Sequence, residues 1–160
     1  MGDEHMIFIF DIDFVLADVT HLLPLIQGEH KDFDAYYSRI GEALPLWQGL
    51  SVLQGVNRQA FLEHGAVHFV TGRSELSRET TIQWLHKHGA CGERPNLHMR
   101  GNTDRRYAQD VKRGIIQRIS LETGVPFSDM VVFEDDKDCA RMYKQLGCYV
   151  CHVKHEKARS

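Results

Sequence analysis

The sequence predicts an α/β fold: three layers, with a mainly parallel sheet between helices and a small helical insertion after the first strand. Three observations carry this expectation. Short apolar runs recur along the chain, and most stop abruptly at polar residues. Between them the apolar spacing changes to a helical period. Three of the helical stretches end at a glycine, where a helix C-terminus favours a left-handed residue. Strands alternating with helices long enough for crossovers read as a parallel sheet covered on both faces.

Met6-Ile7-Phe8-Ile9-Phe10 is apolar without alternation, the pattern of a strand buried on both sides, and it stops at Asp11. Ala66 to Val70 stops at Thr71-Gly72, and Met130 to Phe133 stops at Glu134-Asp135-Asp136. Leu97 to Met99 is a weaker strand, and Cys148 to Val153 is the last. Leu76, Thr80, Trp84 and Leu85 share a helix face that begins near Ser74 or Glu75 and ends at Gly89. Val111, Ile115, Ile116 and Ile119 define a helix ending at Gly124; Cys139, Met142, Tyr143 and Leu146 define one ending at Gly147. The stretch from Asp18 to Gly65 breaks the alternation. It carries Phe33, Tyr36, Tyr37, Trp47, Phe61, Pro24 and Pro45, and predicts helices over 34–44 and 46–64. We read about 18–50 as a small helical excursion above the sheet, followed by the helix that returns to the second strand.

A chain of 160 residues, 42% hydrophobic and 26% charged, suits one globular domain spanning 1–160. No apolar run approaches the ~20 residues of a membrane span, and no secretory pattern opens the chain. Four cysteines make no dense disulfide framework, so the expected compartment is the reducing cytoplasm. The formal charge is −3. Yet between Arg94 and Arg118 the basic residues Arg94, Arg100, Arg105, Arg106, Lys112, Arg113 and Arg118 meet only Asp104 and Asp110. One basic segment in an acidic chain suits an anionic ligand, or else forms a solvated face.

In open α/β sheets, functional groups gather beyond the carboxyl ends of the strands. Those ends carry Asp11-Ile12-Asp13, Thr71-Gly72-Arg73 and Glu134-Asp135-Asp136, with Lys112 near the start of a helix. Residues two apart on a strand point the same way, so Asp11 and Asp13 are expected to face one reacting centre. Carboxylates converging from two strand ends repel unless a cation lies between them, and hard oxygen ligands suit Mg2+. A hydroxyl, the Gly72 amide and a lysine supply the donors and positive charge a phosphate needs.

The order of these residues resembles the haloacid dehalogenase (HAD) superfamily of phosphotransferases. Its Asp-x-Asp-x-[Thr/Val] motif is similar to Asp11-Ile12-Asp13-Phe14-Val15, its Ser/Thr motif to Thr71, its Lys/Arg motif to Lys112, and its acidic motif to Glu134-Asp135-Asp136. The resemblance covers about Met6 to Val153 and implies the HAD-like Rossmannoid fold. Thr71-Gly72-Arg73, Asp104-Arg105-Arg106 and Glu134-Asp135 further resemble the 3′-phosphatase domain of phage polynucleotide kinase-phosphatases. No Gly-x-x-x-x-Gly-Lys-[Ser/Thr] kinase loop occurs. One departure stands out: the superfamily commonly has Gly where this chain has Phe14, which is expected to reshape the turn that positions Asp13.

The resemblance implies a Mg2+-dependent phosphomonoester hydrolase acting through an aspartyl-phosphate. Asp11 is then the nucleophile and Asp13 the general acid and base. Thr71, Gly72 and Lys112 hold phosphate oxygens, and Arg73 sits at the rim of the site on the substrate side. Asp11, the backbone carbonyl of Asp13, and Asp135 hold the metal, with Glu134 and Asp136 as alternatives to Asp135. Arg100, Arg105 and Arg106 are second-rank candidates for flanking phosphates, and His21 for a polar contact. The implied partner is a phosphorylated nucleic-acid end or a nucleotide, with no membrane; nothing in the sequence bears on oligomeric state. A 5′(3′)-nucleotidase or other small-metabolite phosphatase is the alternative. From a different class come a receiver-like domain, disfavoured by Lys112 lying in a helical pattern, and a phosphate-binding domain without turnover. Cys148 and Cys151, three apart on a strand, face opposite sides and cannot share an ion. His64, His68, His86, His88, His152 and His155 show no clear metal spacing.

Overall fold

The computed structural model describes residues 5–62 and 66–154; His64, Gly65 and His155 lie outside the described residues. The strands are β1 (Ile7–Phe10), β2 (Ala17–Asp18), β3 (Leu44–Pro45), β4 (Ala66–Ser74), β5 (Asn96–Arg100), β6 (Met130–Glu134) and β7 (Tyr149–His152). The helices are α1 (Phe33–Ser38), α2 (Trp47–Leu62), α3 (Arg78–Lys87), α4 (Ala108–Thr123) and α5 (Lys137–Leu146). Five strands form one sheet in the order β5-β4-β1-β6-β7, and every pairing in it is parallel.

The centre of the sheet is buried on both faces, which is why β1 reads as continuously apolar, while the edge strand β7 is largely exposed. Ile7 and Ile9 pack with Val111, Ile115, Ile116 and Ile119 of α4 and with Met142 and Tyr143 of α5. Phe10 points the other way, into a cluster with Leu50 and Leu53 of α2 and Trp84 and Leu85 of α3. Phe10 also stacks on Phe133 at 4.4 Å between ring centroids, locking β1 to β6. The chain runs outward from β1 to β4 and β5, then returns to lay β6 on β1's other side. That reversal opens a crevice at the carboxyl end of β1, where α/β sheets place ligands.

Three elements differ from the sequence expectation. β4 runs on to Ser74 instead of stopping at Val70, because pairing with β5 resumes at Ser74–Arg100 after a register shift. Thr71, Gly72 and Arg73 therefore lie in an irregular stretch, which re-aims side chains away from simple alternation. Leu76 falls in a 3-10 turn (Glu75–Ser77) ahead of α3 and is exposed, so it takes no part in the buried helix face. The expected helix over 34–44 splits into α1, a 3-10 turn (Ile40–Glu42) and β3, where Leu44, disfavoured from helix by the following Pro45, pairs with Asp18.

β3 pairs antiparallel with β2, so a two-residue ribbon forms the neck of the insertion. A 3-10 turn (Thr20–Leu25) and α1 fill the rest of it. The Trp84 indole donates to the Ala43 carbonyl at 2.8 Å and ties this neck to α3. Gly49 lets α2 press against its base: a Cβ there would lie 1.8 Å from the Val15 carbonyl oxygen. Among the described residues no helix is long and apolar enough to cross a membrane.

Candidate active site

The Asp11 amide donates to the Phe133 carbonyl at 3.0 Å, carrying the β1–β6 pairing one residue beyond the strand. The chain then turns. The Ile12 carbonyl accepts from the amides of Leu16 and Ala17 at 2.8 and 3.0 Å, and Ile12 itself is fully buried. Phe14 lies inside this turn at φ 63°, the left-handed region. Glycine adopts that conformation freely, whereas another residue pays about 1 kcal/mol for it. Phe14 holds the left-handed conformation that glycine favours, and its half-buried ring packs on the core beneath.

Lys112 reaches the end of β1 from the second turn of α4, whose apolar face is pinned to the sheet by Val111, Ile115 and Ile119. Its ammonium lies 2.7 Å from Glu134 Oε2 and 3.2 Å from Asp11 Oδ1, and all three groups are buried. Asp11, Glu134 and Asp135 each offer an oxygen within 4.8 Å of the others. Burial pushes the Asp11 carboxyl up, but the Lys112 ammonium and hydrogen bonds with Glu134 and Asp135 outweigh it and hold Asp11 below its ordinary value. Burial and the neighbouring Asp11 charge push Glu134 up to about 8, against the pull of Lys112. Burial, together with the hydrogen bond and charge of Asp11, pushes Asp135 up to about 10. Burial works against the Lys112 charge, yet the Asp11 and Glu134 carboxylates hold it well above the usual lysine value. Three carboxyls share one ammonium, and burial together with their mutual repulsion favours the protonated forms of Glu134 and Asp135. A hard divalent cation fits that donor set.

Asp13 does not join this cluster through its side chain. β1 has already ended, so strand alternation does not extend to Asp13, and its carboxylate is taken by Arg73 instead. Arg73 Nη2 donates to Asp13 Oδ1 at 2.6 Å, Nε donates to both oxygens at 3.1 and 3.2 Å, and Nη1 donates to Thr81 Oγ1 at 3.1 Å. Arg73 is only 2% exposed, so it lies beneath the site and not at its rim. Burial opposes its charge, but Asp13 more than offsets this and raises its pKa. Thr71 is fully buried, and its hydroxyl accepts the Arg73 amide at 3.1 Å. Gly72 is half-buried, and its carbonyl accepts from Arg100 Nε at 3.0 Å.

Asp136 is the N-cap of α5: its carboxylate accepts the Cys139 amide at 2.8 Å, which explains its place beside the acidic pair. Glu134 Oε1 accepts the Asp136 amide, so the cap also braces the cluster. His21 is exposed in the insertion; Cys148, just ahead of β7, is buried, and Cys151 within β7 is exposed. Sequence reasoning missed the Lys112–Glu134 pair, the Arg73–Asp13 pair and Tyr143, whose buried hydroxyl has no hydrogen-bond partner among the described residues. The Tyr143 position was legible only as one core residue of a helix face. A cleft of about 490 Å³ lies beside the Phe14 turn, lined by Leu46, Trp47 and Val153 among others, but not by the acidic cluster.

Comparison with solved structures decides the fold. The chain superposes on a chain of the Pnkp1/Rnl/Hen1 complex with a TM-score of 0.69 at 18% identity, over 98% of its own length. It also matches a HAD family enzyme from Bacteroides thetaiotaomicron in a magnesium complex (TM-score 0.54, 8% identity, 96% of each chain). A HAD hydrolase of family IA from Entamoeba histolytica matches with a TM-score of 0.62 at 14% identity, over 96% of this chain and 86% of that one. The fold is that of the HAD-like hydrolases. The HAD-like sheet explains why four dispersed motifs share one end of the molecule. This chain spans 49% of the matched chain in the first complex. No protein-family model matches the sequence, and no curated protein does.

Proposed function

We propose that this chain is a Mg2+-dependent phosphomonoesterase of the HAD superfamily that removes phosphate from the 3′-end of a nucleic-acid strand. The observation that carries the reading is the cluster of buried Asp11, Lys112 and Glu134 with half-buried Asp135 at the carboxyl ends of β1 and β6. Asp11, Glu134 and Asp135, with the Asp13 carbonyl, would hold the ion, which screens the repulsion between an anionic nucleophile and an anionic phosphate. The match to the Pnkp1/Rnl/Hen1 RNA repair complex supports a nucleic-acid end as substrate.

Asp11 is the nucleophile: one carboxylate oxygen bonds to phosphorus as the ester P–O bond breaks, giving an aspartyl-phosphate. Its lowered pKa keeps it ionised for that role. Asp13, oriented by the Arg73 fork, gives its proton to the leaving alkoxide and then takes one from the attacking water. Water releases inorganic phosphate and restores the Asp11 carboxylate. The Lys112 ammonium, the Thr71 hydroxyl and the Gly72 amide hold the non-bridging oxygens. Asp13, Gly72 and Asp135 are the partly exposed members of the site and mark the side from which a phosphate enters.

The test is phosphate release by the purified protein, with and without Mg2+, from a 3′-phosphorylated oligonucleotide, a 5′-nucleotide and a small phosphate ester. Release from the oligonucleotide, abolished in Asp11→Asn, is expected. Equal inactivity of wild type and Asp11→Asn on all three defeats the catalytic reading. Preference for the 5′-nucleotide defeats the 3′-end reading alone.

A further inference from the structure

The loop between β5 and α4 leaves the sheet at the same end as Asp11 and leads into the helix that carries Lys112. Its backbone is braced from below by Arg100. The Arg100 Nε donates to the Gly72 carbonyl at 3.0 Å, while Nη1 donates to the carbonyls of Asp104 and Arg106, at 3.1 and 2.5 Å. One guanidinium thus ties the stretch beside Thr71 to the loop. Gly72 also abuts the start of α4: a Cβ there would lie 3.9 Å from the Ala108 Cβ. Ser74 Oγ donates to Asn102 Oδ1 at 3.2 Å, a second tie between β4 and the loop.

Within this braced loop the charges are not all spent. Arg106 closes on Asp104 at 2.7 Å and is neutralised there. Arg105 is exposed and makes no ion pair or hydrogen bond among the described residues. Two residues on, Tyr107 is 77% exposed, a large ring left in solvent on a loop that has every other reason to be polar. An exposed aromatic ring and an uncompensated cation on one loop are the groups that hold single-stranded nucleic acid: the ring stacks on a base, at about 1–3 kcal/mol per base, and the cation meets the backbone phosphate.

We propose that the 101–107 loop is a docking ledge for the nucleotide next to the phosphorylated end, with Tyr107 stacking on its base and Arg105 contacting its 5′-side phosphate. Arg100 is the positioning residue that fixes the ledge relative to Gly72. This rests on the reading of the site as a 3′-end phosphatase and deepens it: the ledge sets preference for a polymer end over a mononucleotide. The rigid bracing matters because a loop ordered beforehand does not spend binding energy on its own immobilisation.

The experiment measures KM and kcat for phosphate release by wild type, Tyr107→Ala, Tyr107→Phe and Arg105→Gln. The substrates are a 3′-phosphorylated hexanucleotide and a nucleoside 3′-monophosphate, which lacks the neighbouring nucleotide. The expected result is a KM for the hexanucleotide raised on the order of 10-fold in Tyr107→Ala and Arg105→Gln, with kcat and the mononucleotide unchanged, and near-wild-type behaviour in Tyr107→Phe. The Arg105→Gln variant is also expected to show a shallower dependence of hexanucleotide KM on salt. Unchanged hexanucleotide KM in both variants overturns the ledge while leaving the phosphatase reading intact. Equal losses on both substrates overturn it too, because the residues would then serve the common site or the fold. Wild type that hydrolyses only the mononucleotide, or neither substrate, overturns the ledge together with the 3′-end reading.

Discussion

Replacing Arg73 distinguishes a side chain that builds the site from one that greets the substrate. In the structure the Arg73 side chain is 1% exposed and its partner Asp13 is 24% exposed. Removing one partner of a fully buried pair costs about 3–5 kcal/mol, because the other charge is left uncompensated. In Arg73→Met the stem is replaced by a group of similar length, and the orphaned Asp13 carboxylate keeps partial access to water, so the cost falls below that range. Loss of the bond to Thr81 adds about 1 kcal/mol. We expect a total of about 3 kcal/mol. Asp13→Asn leaves the less accessible guanidinium alone and costs about as much or more. The double variant is therefore expected to cost less than the two singles added, with a coupling of about 2 kcal/mol. Urea unfolding followed by far-ultraviolet circular dichroism reads all four proteins. Arg73→Met within about 0.5 kcal/mol of wild type, with only KM altered, is the behaviour of a rim-side substrate clamp and would refute the buried-pair reasoning.

Lys112→Met keeps the aliphatic stem but leaves Asp11 and Glu134 buried without their ammonium, so stability at neutral pH should fall by about 3–5 kcal/mol and phosphate release by about 10²-fold or more; adding Glu134→Gln should recover part of the stability in urea melts. A second pH-linked feature lies away from the site. His68 Nδ1 and His98 Nε2 are 2.9 Å apart, with Arg118 near the far side of His98. Burial lowers His68, and burial plus the charges of His68, Arg118 and Arg78 lowers His98 to about 4, against the opposing pull of Glu75; Glu122 opposes the shift of His68. Folded values below the unfolded one mean that the unfolded chain takes up protons first as pH falls. Stability present above about pH 6.5 should therefore drain away down to about pH 4, by on the order of 2–3 kcal/mol, and His98→Asn should flatten that window in denaturant titrations. Gly49→Ala forces a methyl against the Val15 carbonyl and should cost about 3 kcal/mol; an unchanged urea midpoint would contradict the close approach of α2 to that turn.

Local pattern sufficed for the five strands of the main sheet and the helices that cover it, and not for the insertion, where α1, a 3-10 turn and β3 replace one expected helix. The apolar run at 6–10, buried on both faces, could be little else than a central parallel strand, and Gly124 and Gly147 do end their helices in the left-handed conformation. Burial and backbone conformation act on neighbouring residues, so their traces lie side by side in the chain. The order of the acidic, hydroxyl and lysine motifs was legible for the same reason: each lies where a local apolar run stops or a helical period begins in the sequence. The pairing of charges was not. Arg73 meets Asp13 across 60 residues, and Lys112 meets Glu134 across 22. Which cation reaches which carboxylate depends on a bulge in β4, a left-handed turn at Phe14 and the depth at which α4 packs. None of these has a periodic signature. Sequence alone thus determined which residues arrive at the end of the sheet, while tertiary structure decided which of them stand in the site, which stand beneath it, and how their charges are shared.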